Sequence, residues 1–303
     1  MEPARTPWYE SLLAVVGQLA ATATVVSLAA PWWWLADVLR HFPAHTLLGC
    51  LAGTLALRSH RRTALLCGLA ATFQGVRLAP LAPYATNSPG DLTLATHNVH
   101  TESRAFAGTT AWLDRGGLDV VCLPEVDADW LAALDEVASL TAVEAVPRDD
   151  NFGIALYVHP ERIRVRASRV VPTEPPQIEA TLETAAGPVD VLVTHTLPPV
   201  SARHAAVRDA QLRWIGDWMA KRDGAAVVCG DLNTTRWSAH FPTGVRSARD
   251  GRGYLGTWPS VWYLPRTIPI DHVFARGLEV RAAEVGPDVG SDHLPLVVAL
   301  ALP

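Results

Sequence analysis

At six places in this chain a carboxylate, an amide or an imidazole stands at one end of a short apolar run. They read Thr96-His97-Asn98, Leu123-Pro124-Glu125, Val193-Thr194-His195, Cys229-Gly230-Asp231-Leu232-Asn233, Pro269-Ile270-Asp271 and Ser291-Asp292-His293. One polar residue after a strand is an ordinary turn residue; six such ends form a pattern. Carboxylate and amide oxygens are hard ligands that suit Mg²⁺ or Mn²⁺. His195 and His293 supply an acid, a base or a stabiliser of negative charge. No serine–base elbow and no reactive-cysteine motif competes with them. The set suits transfer of a phosphoryl group to water. The spacing Asp231-x-Asn233 puts both side chains on one side of an extended segment, where they can hold a water. Asp292 and His293, as neighbours, point to opposite faces unless the backbone turns.

Such residues need strands to carry them. Apolar runs at 92–98, 118–123, 154–158, 163–171, 178–182, 189–195, 225–229, 270–274, 279–285 and 296–300 read as strands. Helices are expected over 128–137 and 203–221, the latter with Ala206, Ala210, Trp214 and Met219 on roughly one face. Many strands and few helices imply two packed sheets with helices outside. The histidines at 97, 100, 204, 240 and 272 read as strand-end or capping residues.

The 303-residue chain is 49% hydrophobic with a mean hydropathy of +0.16, and its apolar residues are segregated. Residues 11–83 are overwhelmingly apolar and divide into runs at 12–30, 44–57 and 63–81. A spanning helix needs about 20 such residues, so an all-α transmembrane anchor of about three helices is expected over 1–83. A linker follows at 84–90 and a catalytic domain at 91–303. The cluster Arg58-Ser59-His60-Arg61-Arg62 marks the cytoplasmic side, and Trp32, Trp33 and Trp34 suit an outer headgroup layer. Three crossings then leave the catalytic domain extracellular, on a multi-pass protein of the cell membrane.

The net charge is −5, and from Asp91 onward 27 Asp and Glu face 19 Lys and Arg. That excess of acid disfavours nucleic acid as a partner, because nonspecific binders carry a basic stripe. The lipid bilayer is the evident partner, and no protein partner is evident. Cys50, Cys67, Cys122 and Cys229 all lie in apolar runs and read as four buried thiols.

The order Asn98, Glu125, His195, Gly230-Asp231-Leu232-Asn233, Ile270-Asp271-His272, Ser291-Asp292-His293 resembles that of the endonuclease/exonuclease/phosphatase superfamily, over residues 92–300. The resemblance implies a four-layer α/β sandwich, two packed mainly antiparallel sheets flanked by helices, with the site at one sheet edge. It implies that Glu125 is the main metal ligand, with Asn98 beside it and Asp292 helping to hold the metal or the local turn. Asp231 would orient or deprotonate water, with Asn233 as its partner. His293 and His195 would contact phosphate, and Asp271 would orient His293. Pro124 departs from the family, many of whose members carry Gln there, and no carboxylate partner for His195 is evident.

Shorter pieces, among them residues 151–156, 195–199, 208–212 and 256–260, resemble a membrane-anchored bacterial subgroup of VanJ-type glycopeptide-resistance proteins. That resemblance implies a phosphatase acting on a lipid-linked pyrophosphate such as undecaprenyl pyrophosphate, used in cell-wall synthesis. Arg40 and Arg77 could help hold the pyrophosphate. The rival reading is a membrane-tethered extracellular nuclease or phospholipid phosphodiesterase.

Overall fold

The computed structural model describes residues 8–57, 60–79, 87–185, 187–250, 252–260 and 268–302. Arg58 and Ser59 of the basic connector, and residues 84–86 of the expected linker, lie outside the described residues. The chain forms two compact units, Met1–Ala82 with Arg236–Phe241, and Pro83–Thr235 with Pro242–Pro303.

The first unit is helical: α1 (Trp8–Val26, extended by a 3-10 turn, Ser27–Ala29), α2 (Trp34–Arg40), α3 (Pro43–Ala56) and α4 (Arg61–Leu78). A Cβ built on Gly17 would lie 2.2 Å from the Cα of Gly53, so α1 and α3 meet backbone to backbone. Leu19, Leu48, Leu55, Leu65, Leu66 and Val76 point outward, each more than half exposed. Of the three expected spans, among the described residues only Trp8–Ala29 is both long and apolar enough to cross a membrane. α3 has 14 residues, short of the requirement, and α4 carries Arg61, Arg62 and Arg77 within 18. The tryptophan loop is also partly helical, because Trp34 begins α2.

Polar side chains inside this unit bond to one another. Asp37, fully buried, accepts from Ser238 Oγ and Ala239 N, both at 2.8 Å. Gln74 donates to Thr24 Oγ1 at 3.0 Å, and Arg77 donates to Gln74 Oε1 at 2.9 Å and to the Arg40 carbonyl at 3.1 Å. The Arg77 guanidinium is thus committed to helix partners.

The second unit follows the order β1 (Leu92–Thr96), α5 (Phe106–Arg115), β2 (Val120–Pro124), α6 (Ala128–Leu134), β3 (Thr141–Val146), β4 (Ile154–Val158), β5 (Arg164–Val171), β6 (Gln177–Thr184), β7 (Gly187–His195), α7 (Ala202–Ala220), β8 (Ala225–Asp231), β9 (Arg246–Ser247), β10 (Asp271–Arg276), β11 (Glu279–Val285) and β12 (Leu296–Ala301). One six-stranded sheet runs β11-β12-β1-β2-β4-β3 and the other β5-β6-β7-β8-β10-β9. Within each, one central pair is parallel, β1 with β2 and β7 with β8, joined through α5 and α7; the remaining pairs are antiparallel.

Alternation along the strands builds the layers. Leu94, Cys122 and Leu156 of the first sheet, and Val191, Val193, Cys229 and Val273 of the second, share one core cluster. The opposite face of the first sheet, with Val121, Leu123 and Tyr157, packs against Leu113 of α5 and Trp130 and Leu134 of α6. α7 buries Leu212, Ile215, Trp218 and Met219. The two-sheet α/β sandwich with flanking helices is therefore present.

Ten expected strands are found; α5, β3 and the two-residue β9 were not expected. None of the residues of β3 is buried.

The cysteines depart from expectation. Cys50 and Cys67 are buried free thiols, but Cys122 and Cys229 form a disulfide across 107 residues, with Cα atoms 6.5 Å apart. Periodicity gives each cysteine's face but not which residue of the opposite sheet it meets.

Candidate active site

Register places the functional side chains. In the second sheet His195 pairs with Asp231, and Asp231 with Asp271, across β7, β8 and β10. The core row Val193, Cys229 and Val273 lies two residues away on the same strands, hence on the same face. The row that fills the core thus continues, at the open end of the sandwich, as an imidazole on β7 followed by carboxylates on the two adjacent strands, β8 and β10. In the first sheet the residues just past β1 and β2 supply Asn98 and Glu125.

The backbone is specialised at these ends. Glu125 has φ of 65°, a left-handed conformation that costs energy in a residue with a side chain. Its N–H donates to the Gly153 carbonyl at 2.7 Å and its own carbonyl accepts from Thr101 Oγ1 at 3.1 Å. Gly230, at φ of 144°, lies against β7: a Cβ there would sit 1.8 Å from the Thr194 carbonyl oxygen.

Asn98 Nδ2 donates to Glu125 Oε1 at 2.8 Å and to Asp231 Oδ2 at 3.2 Å, joining the sheets. His195 Nε2 lies 3.6 Å from Asp231 and 3.9 Å from Glu125, so it does have carboxylate neighbours. Asn233 is not on an extended continuation of β8. Its φ is 44° and its N–H donates to Asp231 Oδ1 at 2.8 Å, so the chain turns at once. Its Nδ2 lies 3.2 Å from His195 Nε2 and donates to the Thr196 carbonyl at 2.9 Å.

His293 Nδ1 lies 2.9 Å from Asp271 Oδ2, and its Nε2 lies 3.7 Å from Asp231 Oδ2. Asp292 points elsewhere: it accepts from Trp258 Nε1 at 3.0 Å and lies 3.5 Å from His100 Nδ1. Ser291 Oγ donates to the Asn98 carbonyl at 2.7 Å and accepts from His293 N, tying this turn to the end of β1. Sequence reasoning missed Ser291, Thr101 and Gly153 as supports; Ser291 and Gly153 stood inside quoted pieces, whereas Thr101 did not. It also missed Arg249, a buried cation that donates to the Asp271 carbonyl at 2.5 Å. His97 and His272 are buried, and His272 Nε2 lies 2.9 Å from the Thr234 carbonyl.

The electrostatics are those of crowded acids. Burial pushes the Asp231 carboxyl up to about 8, and the Asp271 charge adds to the shift, against the pull of His293. Burial would raise Asp271 too, but the charge and hydrogen bond of His293 hold it below the usual range. Burial alone would lower His293; Asp271, helped by Asp231 and Asp292, outweighs it and pushes the imidazole up to about 10. Burial lowers His195, opposed by the Glu125 charge.

This donor set fits a divalent cation. Ligand atoms of Glu125, His195 and Asp231 lie within 4.8 Å of one another, as do those of Asp231, Asp271 and His293. Asp271 Oδ1 is buried with no hydrogen-bond partner among the described residues. Asn98, as oriented, turns Nδ2 towards the carboxylates, and rotation of the amide would present Oδ1 to a cation instead. Among the described residues Asp292 is not in either converging set.

A two-sheet sandwich with acids and imidazoles at one open end defines a class of hydrolases acting on phosphoester bonds. The chain belongs to the Endonuclease/Exonuclease/phosphatase family, whose pattern it matches over residues 95–293. The fold is similar to that of TDP2 from D. rerio complexed with single strand DNA product, with TM-score 0.60 and 17% identity, covering 69% of this chain and 98% of that one. It is also similar to the human Nocturnin catalytic domain with bound sulfate anion, with TM-score 0.56 and 20% identity, covering 72% and 97%. In sequence, 88 residues are 38% identical to the UPF0294 protein VV2535 of Vibrio vulnificus strain YJ016, covering 28% of this chain. The match spans 30% of that relative's length.

Proposed function

We propose that this chain is a Mg²⁺- or Mn²⁺-dependent phosphatase acting on a lipid-linked pyrophosphate, of the undecaprenyl pyrophosphate type, at the outer face of the cell membrane. The observation that carries the reading is the convergence of Glu125, Asp231 and His293 from three distant parts of the chain. The lipid substrate draws support from the outward apolar side chains of the helical unit and from Trp8–Ala29 as a span. It draws further support from the acidic balance of the chain beyond residue 90. In this reading Trp8–Ala29 crosses the bilayer, and α3 and α4 pack against it.

Glu125 and Asn98 would hold the cation, which when bound withdraws electron density from a phosphate oxygen and offsets developing charge. Asp231 accepts the proton of the attacking water. His293 donates to a phosphate oxygen from Nε2, while Asp271 fixes the ring through Nδ1. His195 contacts a second oxygen, and Asn233, beside its Nε2, sets which ring nitrogen carries the proton. Asp292, engaged by Trp258 and His100, holds the turn that presents His293.

The test is an assay of the full-length protein in detergent, with Mg²⁺ or Mn²⁺ and three substrates: a polyprenyl pyrophosphate, a phosphodiester lipid and DNA. Phosphate release from the first supports the reading. Cleavage of DNA alone would replace it with the nuclease reading, for which the likeness to DNA-bound TDP2 stands as precedent. Unchanged turnover in both Glu125→Ala and Asp231→Ala would sink the site itself.

A further inference from the structure

Cys122 and Cys229 occupy a particular place between the sheets. Cys122 lies in β2, three residues before Glu125; Cys229 lies in β8, two residues before Asp231 and on the same face of the sheet. Both side chains are fully buried in the core cluster that the two sheets share. The bond between them joins the first sheet to the second directly beneath the residues proposed to hold the cation and the water. Above it, the described polar link between the same strand ends is the single amide of Asn98, donating to Glu125 and to Asp231. Three carboxylates, those of Glu125, Asp231 and Asp271, converge on this gap. Left to themselves, like charges at the lip of the sandwich favour a wider mouth.

We propose that the Cys122–Cys229 disulfide is a positioning element of the active site, a covalent tie that sets the spacing of Glu125 and Asp231 for a divalent cation. The two thiols lose two protons and two electrons to an external disulfide, RSSR, borne by a thiol–disulfide oxidoreductase, which leaves as two RSH. Both sulfurs are sealed once the sheets meet, so exchange precedes closure of the core. After closure no thiolate reaches the bond, and the native protein keeps it in the presence of reductant. Such a bond forms in an oxidising compartment, so the tie also requires the catalytic unit to mature outside the cytoplasm. In that respect the inference rests on the orientation proposed above, but the tie's effect on cation binding does not depend on substrate.

The chain carries its own internal control, because Cys50 and Cys67 are free thiols. Full-length protein from intact cells, denatured and alkylated without reductant, is expected to take up label at Cys50 and Cys67 only. Reduction after denaturation adds Cys122 and Cys229, whereas reduction of the native protein adds neither. Label at Cys122 and Cys229 before any reduction would overturn the proposal. The second arm measures Mn²⁺ affinity by electron paramagnetic resonance in nanodiscs. It compares wild type synthesised with oxidised or with reduced glutathione, and the Cys122→Ala/Cys229→Ala and Cys122→Val/Cys229→Ala variants. The reduced or substituted forms are expected to bind Mn²⁺ roughly tenfold more weakly, the range seen when residues supporting metal ligands are lost. A tie that only stabilised the fold would lower Tm and leave the affinity unchanged, and that result would overturn the positioning role. If the variants fail to fold, the unmutated reduced chain still decides the matter.

Discussion

One ring joins two acids: Nδ1 of His293 lies 2.9 Å from Asp271, and Nε2 of the same ring lies 3.7 Å from Asp231. The two acids sit on neighbouring strands in register, so the His293 ring is held between two carboxyl groups from one sheet.

Stability of the metal-free protein should therefore fall as pH rises. The His293 pKa is raised in the fold to about 10, so its contribution is complete below its ordinary value of 6.5 and is lost as pH climbs through 10. Asp231, also raised, acts in the same direction over a lower window, from 3.8 to about 8. Tm of the chelator-treated protein should drop between pH 7 and pH 10, and His293→Gln should flatten the upper part of that profile. A flat wild-type profile would contradict the assigned charge on His293.

Adding Mg²⁺ or Mn²⁺ should raise Tm, and more so at pH 9 than at pH 6, because the cation competes with protons for the same carboxylates. Thermal melts across a cation titration at both pH values would check this.

Asp231→Asn should separate stability from activity. Removing a buried, crowded carboxylate should raise Tm of the metal-free protein while turnover falls by about 10³-fold, within the range for a lost general base. A variant that loses both would show Asp231 to be a structural residue.

Asp271→Asn keeps the shape but removes the charge that orients and protonates His293. Turnover should fall about 10²-fold with KM little changed, and the His293 imidazole should titrate at lower pH by NMR.

Gly230→Ala puts a methyl group 1.8 Å from the Thr194 carbonyl at a φ that side chains avoid. The expected loss is about 2–4 kcal/mol, read by denaturant unfolding. A stable variant would show that β7 and β8 can separate at their ends.

Much of this was legible in the chain. Strands announced themselves because both sheets are covered, so that β2 and β4 are buried along their whole length. Asn98, Glu125, His195, Asp231, Asp271 and His293 stood out because polar residues flank those strands at one end or the other. What stayed hidden depends on partners remote in sequence. Asn233 reads as an extended neighbour of Asp231 until the turn between them is seen. Asp292 carries a carboxylate like the others, yet Trp258 draws it aside. Cys122 gave no sign of Cys229, since register across a sandwich is not written in either strand. The apolar amino-terminal runs were plain, but hydropathy did not show that the short second run gains nothing from the tryptophan stretch, which goes into α2 while α3 begins at Pro43.

The row Val193, Cys229, Val273 and its continuation His195, Asp231, Asp271 share one lateral alignment. A slip of one position by β8 would turn Val227 and Cys229 away from the shared core and swing Asp231 away from both imidazole neighbours. Folding error and loss of chemistry are therefore the same event here, and turnover measured on a fresh preparation doubles as an assay of how many molecules have zipped correctly.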